Sequence, residues 1–90
     1  MISIDTAVRY ELHPQVAIRP ERFGALAYHF GNRKLTFLKA LPLVQLVERL
    51  GDFDSVDEAL TAAGISQKQR SQYVRTLGAL ADSEVIRVAD

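Results

Sequence analysis

Apolar and polar positions change their period once along the chain, near its middle. In the first half, apolar residues recur at every second position, beginning with Val16 and Ile18 and continuing from Gly24 to Phe30. A spacing of two is typical of strands that bury one face. Pro20 ends the first run, and a third run extends from Lys34 to Leu38. The first half therefore predicts three short strands.

A Gly31-Asn32 pair separates the second and third runs. Such a pair between alternating segments predicts a two-residue hairpin loop of type II′, in which glycine takes the positive φ of the first position. In that register the large apolar side chains share one face, whereas a slip by one residue would divide them between both faces. With Phe30 opposite Arg33, the predicted cross-strand pairs are His29 with Lys34, Tyr28 with Leu35, Ala27 with Thr36 and Leu26 with Phe37.

After the third run, apolar residues recur at helical spacing in three segments. The first begins at Pro42 and ends before Gly51, because proline suits the first helical turn and glycine suits a left-handed C-cap. A capping-box pattern at 55–58 opens a short second helix that ends at Gly64. The same pattern at 66–69 opens the longest helix. The apolar stripe of this third helix contains Tyr73, Val74, Leu77, Leu80 and Ala81.

The two ends of the chain are less clearly patterned. Residues 1–12 lack a period and run into His13-Pro14, so we expect an N-terminal arm at 1–12, mobile or ordered by a partner, followed by one domain at 13–90. The tail from Val85 to Val88 fits either a short strand or an extended end. Three strands followed by three helices predict an α+β domain, with the helices on one face of a small antiparallel sheet. The other face of that sheet can stay open.

Length and composition limit this domain to a single small core. At 90 residues and 48% hydrophobic content, we expect every apolar side chain to be used in that core. The absence of cysteine excludes disulfides, thiolate metal sites and iron–sulfur ligation by this chain. No apolar run approaches the roughly 20 residues of a membrane span, and the N-terminus is not a signal peptide. We therefore expect a cytoplasmic protein that does not bind membranes.

Groups that could support catalysis are few. Only His13 and His29 can supply imidazole, and no catalytic triad, carboxylate pair or phosphate-binding glycine motif accompanies them. Two histidines without cysteine make a poor metal site, which favours a structural or surface role for both. We therefore expect no enzymatic activity, no metal and no cofactor.

DNA binding is one of two binding functions that remain open. The short second helix, the turn at 63–65 and the third helix follow the helix-turn-helix pattern, with residues 67–70 at the groove-reading start. Against nucleic acid stand the equal numbers of acidic and basic residues, eleven of each, and the lack of flanking basic clusters. Charge therefore argues against the small DNA-binding regulator that the helical pattern allows.

Peptide binding by strand addition is the second binding function that remains open. The third strand, Lys34 to Leu38, is an edge of the predicted sheet, so its backbone groups can pair with an incoming extended peptide. A groove between this strand and the third helix would select peptide side chains through Tyr73, Val74 and Leu77. An apolar stripe at helical spacing can equally be plain core.

Several segments of the first half resemble one family closely. They are Leu12 to Glu21, Phe23 to Leu26, Tyr28 to Gly31 and Arg33 to Lys39. These segments resemble the peptide chaperones of mycofactocin systems, which belong to the PqqD-like recognition elements of ribosomal-peptide (RiPP) pathways. The likeness extends from about Tyr10 to the end of the third helix, and in the second half only the helical pattern carries it.

This resemblance implies a winged-helix-like fold and a noncatalytic peptide chaperone. The leader of a precursor peptide would add a strand to the third strand and lie against the third helix. The chaperone would then present the peptide to a radical S-adenosylmethionine (radical SAM) maturase, which performs the chemistry. The peptide-binding residues implied in this way are Lys34, Leu35, Thr36, Phe37, Leu38, Arg70, Tyr73, Val74 and Leu77.

Overall fold

A computed structural model describes residues 3–89, so residues 1–2 of the predicted arm and residue 90 of the predicted domain lie outside the described part. The elements are β1 (Tyr10–Leu12), β2 (Val16–Glu21), β3 (Gly24–His29), β4 (Leu35–Leu38), α1 (Leu41–Arg49), a 3-10 turn (Leu50–Asp52), α2 (Val56–Ala62), α3 (Gln67–Asp82) and β5 (Ile86–Val88). The strands β2, β3 and β4 form an antiparallel sheet in that order, and β1 pairs with β5 in a separate two-stranded sheet. The predicted α+β class, with a three-stranded antiparallel sheet and three helices, is confirmed.

The inner face of the three-stranded sheet carries small side chains that pack against the helices. Ala25, Ala27 and His29 of β3 are buried, and the cross-strand partner of Ala25 on this face is Leu38, also fully buried. Gly24 is required beside them, because a β-carbon there would collide with the carbonyl oxygen of Leu38. The core therefore lies between this face and the helices. Its largest fully buried members are Leu38, Val47, Leu50, Val56, Leu60, Leu77, Val85 and Ile86.

The opposite face of the sheet carries large apolar side chains that remain at the surface. Leu35 and Phe37 of β4 are 62% and 49% exposed, and Phe30 is 60% exposed. The expectation that a chain of this size uses every apolar side chain in its core is therefore wrong. Because successive strand residues point to opposite faces, burying the alanines of β3 turns Leu26 and Tyr28 outward.

The β3–β4 hairpin has the predicted register but a different loop. The pairs are Tyr28 with Leu35, Ala27 with Thr36 and Leu26 with Phe37, as expected. A positive φ of 63° falls on Arg33 and not on Gly31, so the type II′ loop is wrong. The buried side chain of His29 explains the difference. Its Nδ1 accepts hydrogen bonds from the backbone N–H groups of Gly31 and Asn32, at 3.0 and 3.1 Å, and holds a longer loop.

The capping signals of the helices are confirmed in part. Ser55 accepts a hydrogen bond from the Glu58 N–H at 3.1 Å, and Gly64 follows α2 with a φ of 75°. Ser66 precedes α3 without a side-chain bond to its backbone, so only the position of that start is correct. Gly51 lies in the 3-10 turn without a positive φ, and its predicted role as a left-handed cap is wrong.

The described residues of the N-terminal segment lie against the domain. Tyr10 is buried and pairs with Val88, and the strand β1 thereby joins the tail as a two-stranded sheet. The carbonyl of Val8 accepts a hydrogen bond from the N–H of Val56 at 3.1 Å. The tail, for which the sequence allows two states, is the strand β5. Among residues 3–89, no helix combines the length and apolar character needed to cross a membrane.

Two histidine side chains stack beside the hairpin loop. The rings of His13 and His29 have centroids 4.4 Å apart, and His13 Nδ1 accepts the N–H of Gln15 at 3.1 Å. Loss of hydration lowers the pKa of His13 below its ordinary value of 6.5, and the nearby His29 and Arg87 lower it further, whereas Glu84 and Glu11 act in the opposite direction. His13 is therefore held neutral in the folded state at a pH where the unfolded chain begins to bind a proton.

We expect the free energy of unfolding to fall as the pH drops below 6.5. Just below pH 6.5 the His13 side chain binds a proton in the unfolded chain but not yet in the folded state, so acid shifts the equilibrium toward unfolding. His13→Asn keeps an acceptor for the Gln15 N–H but does not titrate, so its stability should fall less steeply toward about pH 5. Urea unfolding of both proteins across this range measures the difference, and equal pH slopes would contradict the assignment.

Candidate functional site

The strand β4 forms one edge of the three-stranded sheet. The His29 N–H donates to the Lys34 carbonyl at 3.0 Å, and in an antiparallel ladder every second pair from that point is hydrogen-bonded. Thr36 therefore bonds to β3, while Leu35 and Phe37 direct their N–H and C=O groups away from it. In the described part of the chain no other strand pairs with this edge. β4 thus offers two donors and two acceptors to an added strand.

A groove of about 480 Å³ lies beside this edge, between β4 and α3. Its sheet side consists of Thr36, Phe37, Leu38 and Lys39. Its helix side consists of Gln69, Gln72, Tyr73, Thr76, Ala79 and Leu80. The helix positions recur at spacings of three and four, which places them on one face of α3. The geometry therefore puts an open strand edge next to one continuous helix face.

The groove combines an apolar floor with uncharged polar walls. Leu43 and Leu80 are nearly buried and supply the apolar surface, whereas Gln72 and Thr76 add amide and hydroxyl groups. Lys39 is the only charged side chain among the described residues that line it. Such a surface suits an extended peptide with apolar side chains, uncharged hydrogen-bonding groups and a carboxylate near Lys39.

Four of the nine predicted binding residues line this groove. They are Thr36, Phe37, Leu38 and Tyr73. Leu35 contributes its backbone to the open edge, while its side chain points to the exposed face of the sheet. Lys34 precedes β4 and is exposed beside the hairpin loop. The structure thus brings the strand residues and Tyr73 together.

The remaining three predicted residues lie on other faces of α3. Arg70 donates to the Asp57 carboxylate at 2.8 Å and to the Thr61 hydroxyl at 3.0 Å, so it connects α3 to α2. Val74 lies near Arg70, away from the groove, and is packed against the core. Leu77 is completely buried. The structure does not bring these three side chains into the groove.

Three polar residues of the groove are not among the peptide-binding residues predicted from the sequence, namely Gln69, Gln72 and Thr76. Following the apolar stripe of the third helix selects the residues that face the core. A groove wall lies at the boundary between core and solvent, where polar residues are common. Only their position in the sequence indicates that these residues share a helix face with Tyr73, since Gln69 and Thr76 lie one helical turn to either side of it.

Comparison with known proteins points to a single family. The family model described as the peptide chaperone MftB family matches residues 9–87. The chain belongs to this family. A protein named peptide chaperone MftB from Mycolicibacterium smegmatis is 47% identical over 85 residues, which cover 94% of this chain and 83% of that protein.

Two further relatives carry the same name. The Mycobacterium tuberculosis protein is 44% identical and the Mycobacterium ulcerans protein 46% identical, each over 77 residues that cover 86% of this chain and 71% of the relative. No solved structure matches the chain. The resemblance inferred from the first half of the sequence is therefore confirmed.

Membership of the MftB family also decides between the functions left open by the sequence. A family of peptide chaperones confirms the interpretation of this chain as a noncatalytic chaperone and does not favour the DNA-binding alternative. The structure agrees at the start of α3, where a recognition helix would present its side chains to DNA. There the Arg70 guanidinium is held by Asp57 and Thr61.

Proposed function

We propose that this chain binds the leader of a precursor peptide in mycofactocin maturation and presents it to a radical SAM maturase. The leader adds to β4 as a further strand. The single observation that carries this proposal is the open backbone edge at Leu35 and Phe37, which lies directly beside the groove against α3.

Strand addition divides the recognition of the leader into two parts. The backbone groups of Leu35 and Phe37 bind any extended segment, because main-chain hydrogen bonds do not depend on side chains. Alternate leader residues point toward α3, where Tyr73 and Gln72 line the groove. The backbone contacts therefore supply affinity and the groove supplies selectivity.

The chemistry of the pathway belongs to the maturase in this proposal. A chain without cysteine cannot supply the thiolates of an iron–sulfur cluster, and its contribution is to hold and position the peptide. The order of strands before helices fits the winged-helix-like architecture of PqqD-like elements. We place the complex in the cytoplasm, where a ribosomal precursor is made, with neither nucleic acid nor membrane as a partner.

Fluorescence anisotropy tests the central step of the proposal. The chain is titrated into labelled precursor peptide, with a labelled random DNA duplex as the parallel control at moderate salt. Saturable binding of the peptide without binding of the duplex is the expected result. Binding of the duplex alone would replace the chaperone with a DNA-binding function.

A matched pair of double variants locates the leader on α3. We expect Gln72→Ala combined with Tyr73→Ala to weaken leader binding about tenfold or more, because the groove loses an aromatic contact and an amide. The control is Gln67→Ala combined with Val74→Ala, which removes a glutamine and an apolar side chain on the other side of the helix. The control should bind within about twofold of the unchanged protein. The reverse order of effects would move the site to the opposite side of α3.

A further inference from the structure

One face of the three-stranded sheet is left uncovered by the described chain and carries three of its exposed large apolar side chains, those of Phe30, Leu35 and Phe37. This outer face is defined here by Leu26, Tyr28, Phe30, Leu35 and Phe37. Cross-strand pairing places Leu26 beside Phe37 and Tyr28 beside Leu35, and the Tyr28 and Phe30 rings meet edge to face at 5.0 Å. Contiguous exposed aromatic and aliphatic side chains of this kind mark interaction surfaces.

Charge is distributed unevenly around this outer face. The segment 13–40, which contains the whole sheet, carries five basic residues and one acidic residue, a net charge of +4 with neutral histidines, although the complete chain is neutral. The basic residues are Arg19, Arg22, Arg33, Lys34 and Lys39, and all five are exposed. Arg19 pairs with Leu26 and shares the outer face with Glu21, and Arg22 and Arg33 lie in the two hairpin loops at its ends. Lys34 lies opposite the buried His29 and Lys39 lines the groove against α3, so these two belong to the other side of the sheet. None of them forms an ion pair with a carboxylate in residues 3–89. The outer face with its two hairpin loops therefore combines an apolar centre with a small excess of positive charge, three arginines against Glu21.

We infer that the outer face is a docking surface for a folded protein partner with an apolar centre and an acidic rim. Complementary charge would orient the partner, and the desolvated aromatic centre would supply most of the affinity. This inference rests on the proposed function for the identity of the partner, which is then the maturase. It assigns the maturase to the outer face of the sheet, opposite the groove against α3.

Continuity with the leader site supports this assignment. A strand added to β4 continues the same sheet, so every second leader side chain points to the outer side, next to Leu35 and Phe37. A partner on the outer face would therefore touch the bound leader as well as the chaperone. This placement explains how a protein could recognise the loaded chaperone without entering the groove against α3.

A second copy of this chain is a poorer occupant of the same face. A twofold interface would bring the outer face against itself, so that the excess of arginine around it, Arg19, Arg22 and Arg33 against Glu21, would meet its own copy. Like charges at an interface are unfavourable and suppress that association. The charge pattern therefore favours an acidic partner over a homodimer.

Two double variants of the outer face test the inference with purified maturase as the probe. Tyr28→Thr with Phe30→Thr removes the aromatic centre and keeps side chains that favour strands. Arg19→Glu with Arg33→Glu reverses the rim charge without touching the core. Each should weaken maturase binding at least about tenfold and leave leader binding within about threefold. The second variant keeps the test valid if the first does not fold.

The matched control changes the same amount of charge on the helical side. Lys68→Glu with Arg75→Glu alters two exposed residues of α3 and should bind the maturase like the unchanged protein. Unchanged maturase binding by both outer-face variants would overturn the docking surface. Because leader binding is titrated separately, that result would leave the chaperone proposal intact. The proposed function itself would be overturned if the unchanged protein did not bind the leader.

Other occupants of the outer face are distinguished in the same series. Light scattering of the unchanged protein would reveal a dimer, and a dimer abolished by Tyr28→Thr with Phe30→Thr would assign the face to self-association. Flotation with vesicles containing phosphatidylserine tests a lipid surface. If the unchanged protein binds these vesicles and the charge-reversal variant does not, the inference of a protein partner is likewise overturned. We expect the unchanged protein to be a monomer that does not bind vesicles and that binds the maturase through this face.

Discussion

Proline at position 35 is expected to weaken leader binding by roughly ten- to a hundredfold while the domain stays folded. The N–H of Leu35 faces the open edge, so Leu35→Pro removes a donor from the leader and none from the sheet. Proline is also tolerated at the first residue of an edge strand. Leu35→Ala, which keeps the N–H and loses most of the side chain, should bind the leader nearly as well as the unchanged protein.

Proline at the next position, Thr36→Pro, should instead destabilise the fold. The Thr36 N–H lies toward Ala27 in the hydrogen-bonded pairs of the hairpin, so Thr36→Pro breaks the sheet itself. We expect the melting temperature to fall by about 10 °C, as a lost ladder bond with an unpaired carbonyl implies for a domain of this size. Anisotropy and thermal unfolding of the three variants separate the two effects. Normal leader binding by Leu35→Pro would exclude strand addition at this edge.

A second large effect is expected at Leu77, where the cause is stability and not recognition. Leu77 is completely buried in the core, and replacing a buried leucine by alanine costs about 2–5 kcal/mol of unfolding free energy. For a domain of this size, that cost lowers the melting temperature by about 10–25 °C. Leu41→Ala is the matched control, because Leu41 is exposed and should change the unfolding free energy by less than about 0.5 kcal/mol.

The same variant decides whether Leu77 takes part in binding. In chemical denaturation Leu77→Ala should unfold at lower denaturant concentration, and its folded fraction should bind the leader with unchanged affinity at low temperature. A variant as stable as the unchanged protein that had lost the leader would return Leu77 to the binding surface. The buried position predicts the first result, since no leader can reach a side chain without exposed area.

The register of the β3–β4 hairpin could be predicted because two local signals agree on it. A loop position and an alternating pattern each select the same pairs, from Tyr28 with Leu35 to Leu26 with Phe37. The loop conformation could not be predicted, because it depends on the buried Nδ1 of His29. The sequence also does not indicate which face of the sheet packs against the helices. Both faces are apolar in sequence, and only the close approach at Ala25 and Ala27 selects the small one.

The candidate site was predictable where it depends on strand order and not where it depends on helix rotation. An edge strand follows directly from a sheet built in chain order, and β4 is that edge. The rotation of α3 about its axis follows from its packing in the core, which buries Leu77 completely and leaves Tyr73 partly exposed in the groove. Both residues belong to the same apolar stripe, so the sequence does not separate the core side of the helix from the groove side. The polar groove residues Gln72 and Thr76 therefore stayed unrecognised.

The pairing of β1 with β5 has a consequence for the order in which the domain folds. The hairpins β2–β3 and β3–β4 join neighbouring segments, whereas β1–β5 joins residues that are more than 70 positions apart, such as Tyr10 and Val88. Closing so long a loop is entropically unfavourable until the intervening chain is compact. We therefore expect the β3–β4 hairpin to form early and β1 to pair with β5 last. Amide exchange should consequently be faster in β1 and β5 than in β3.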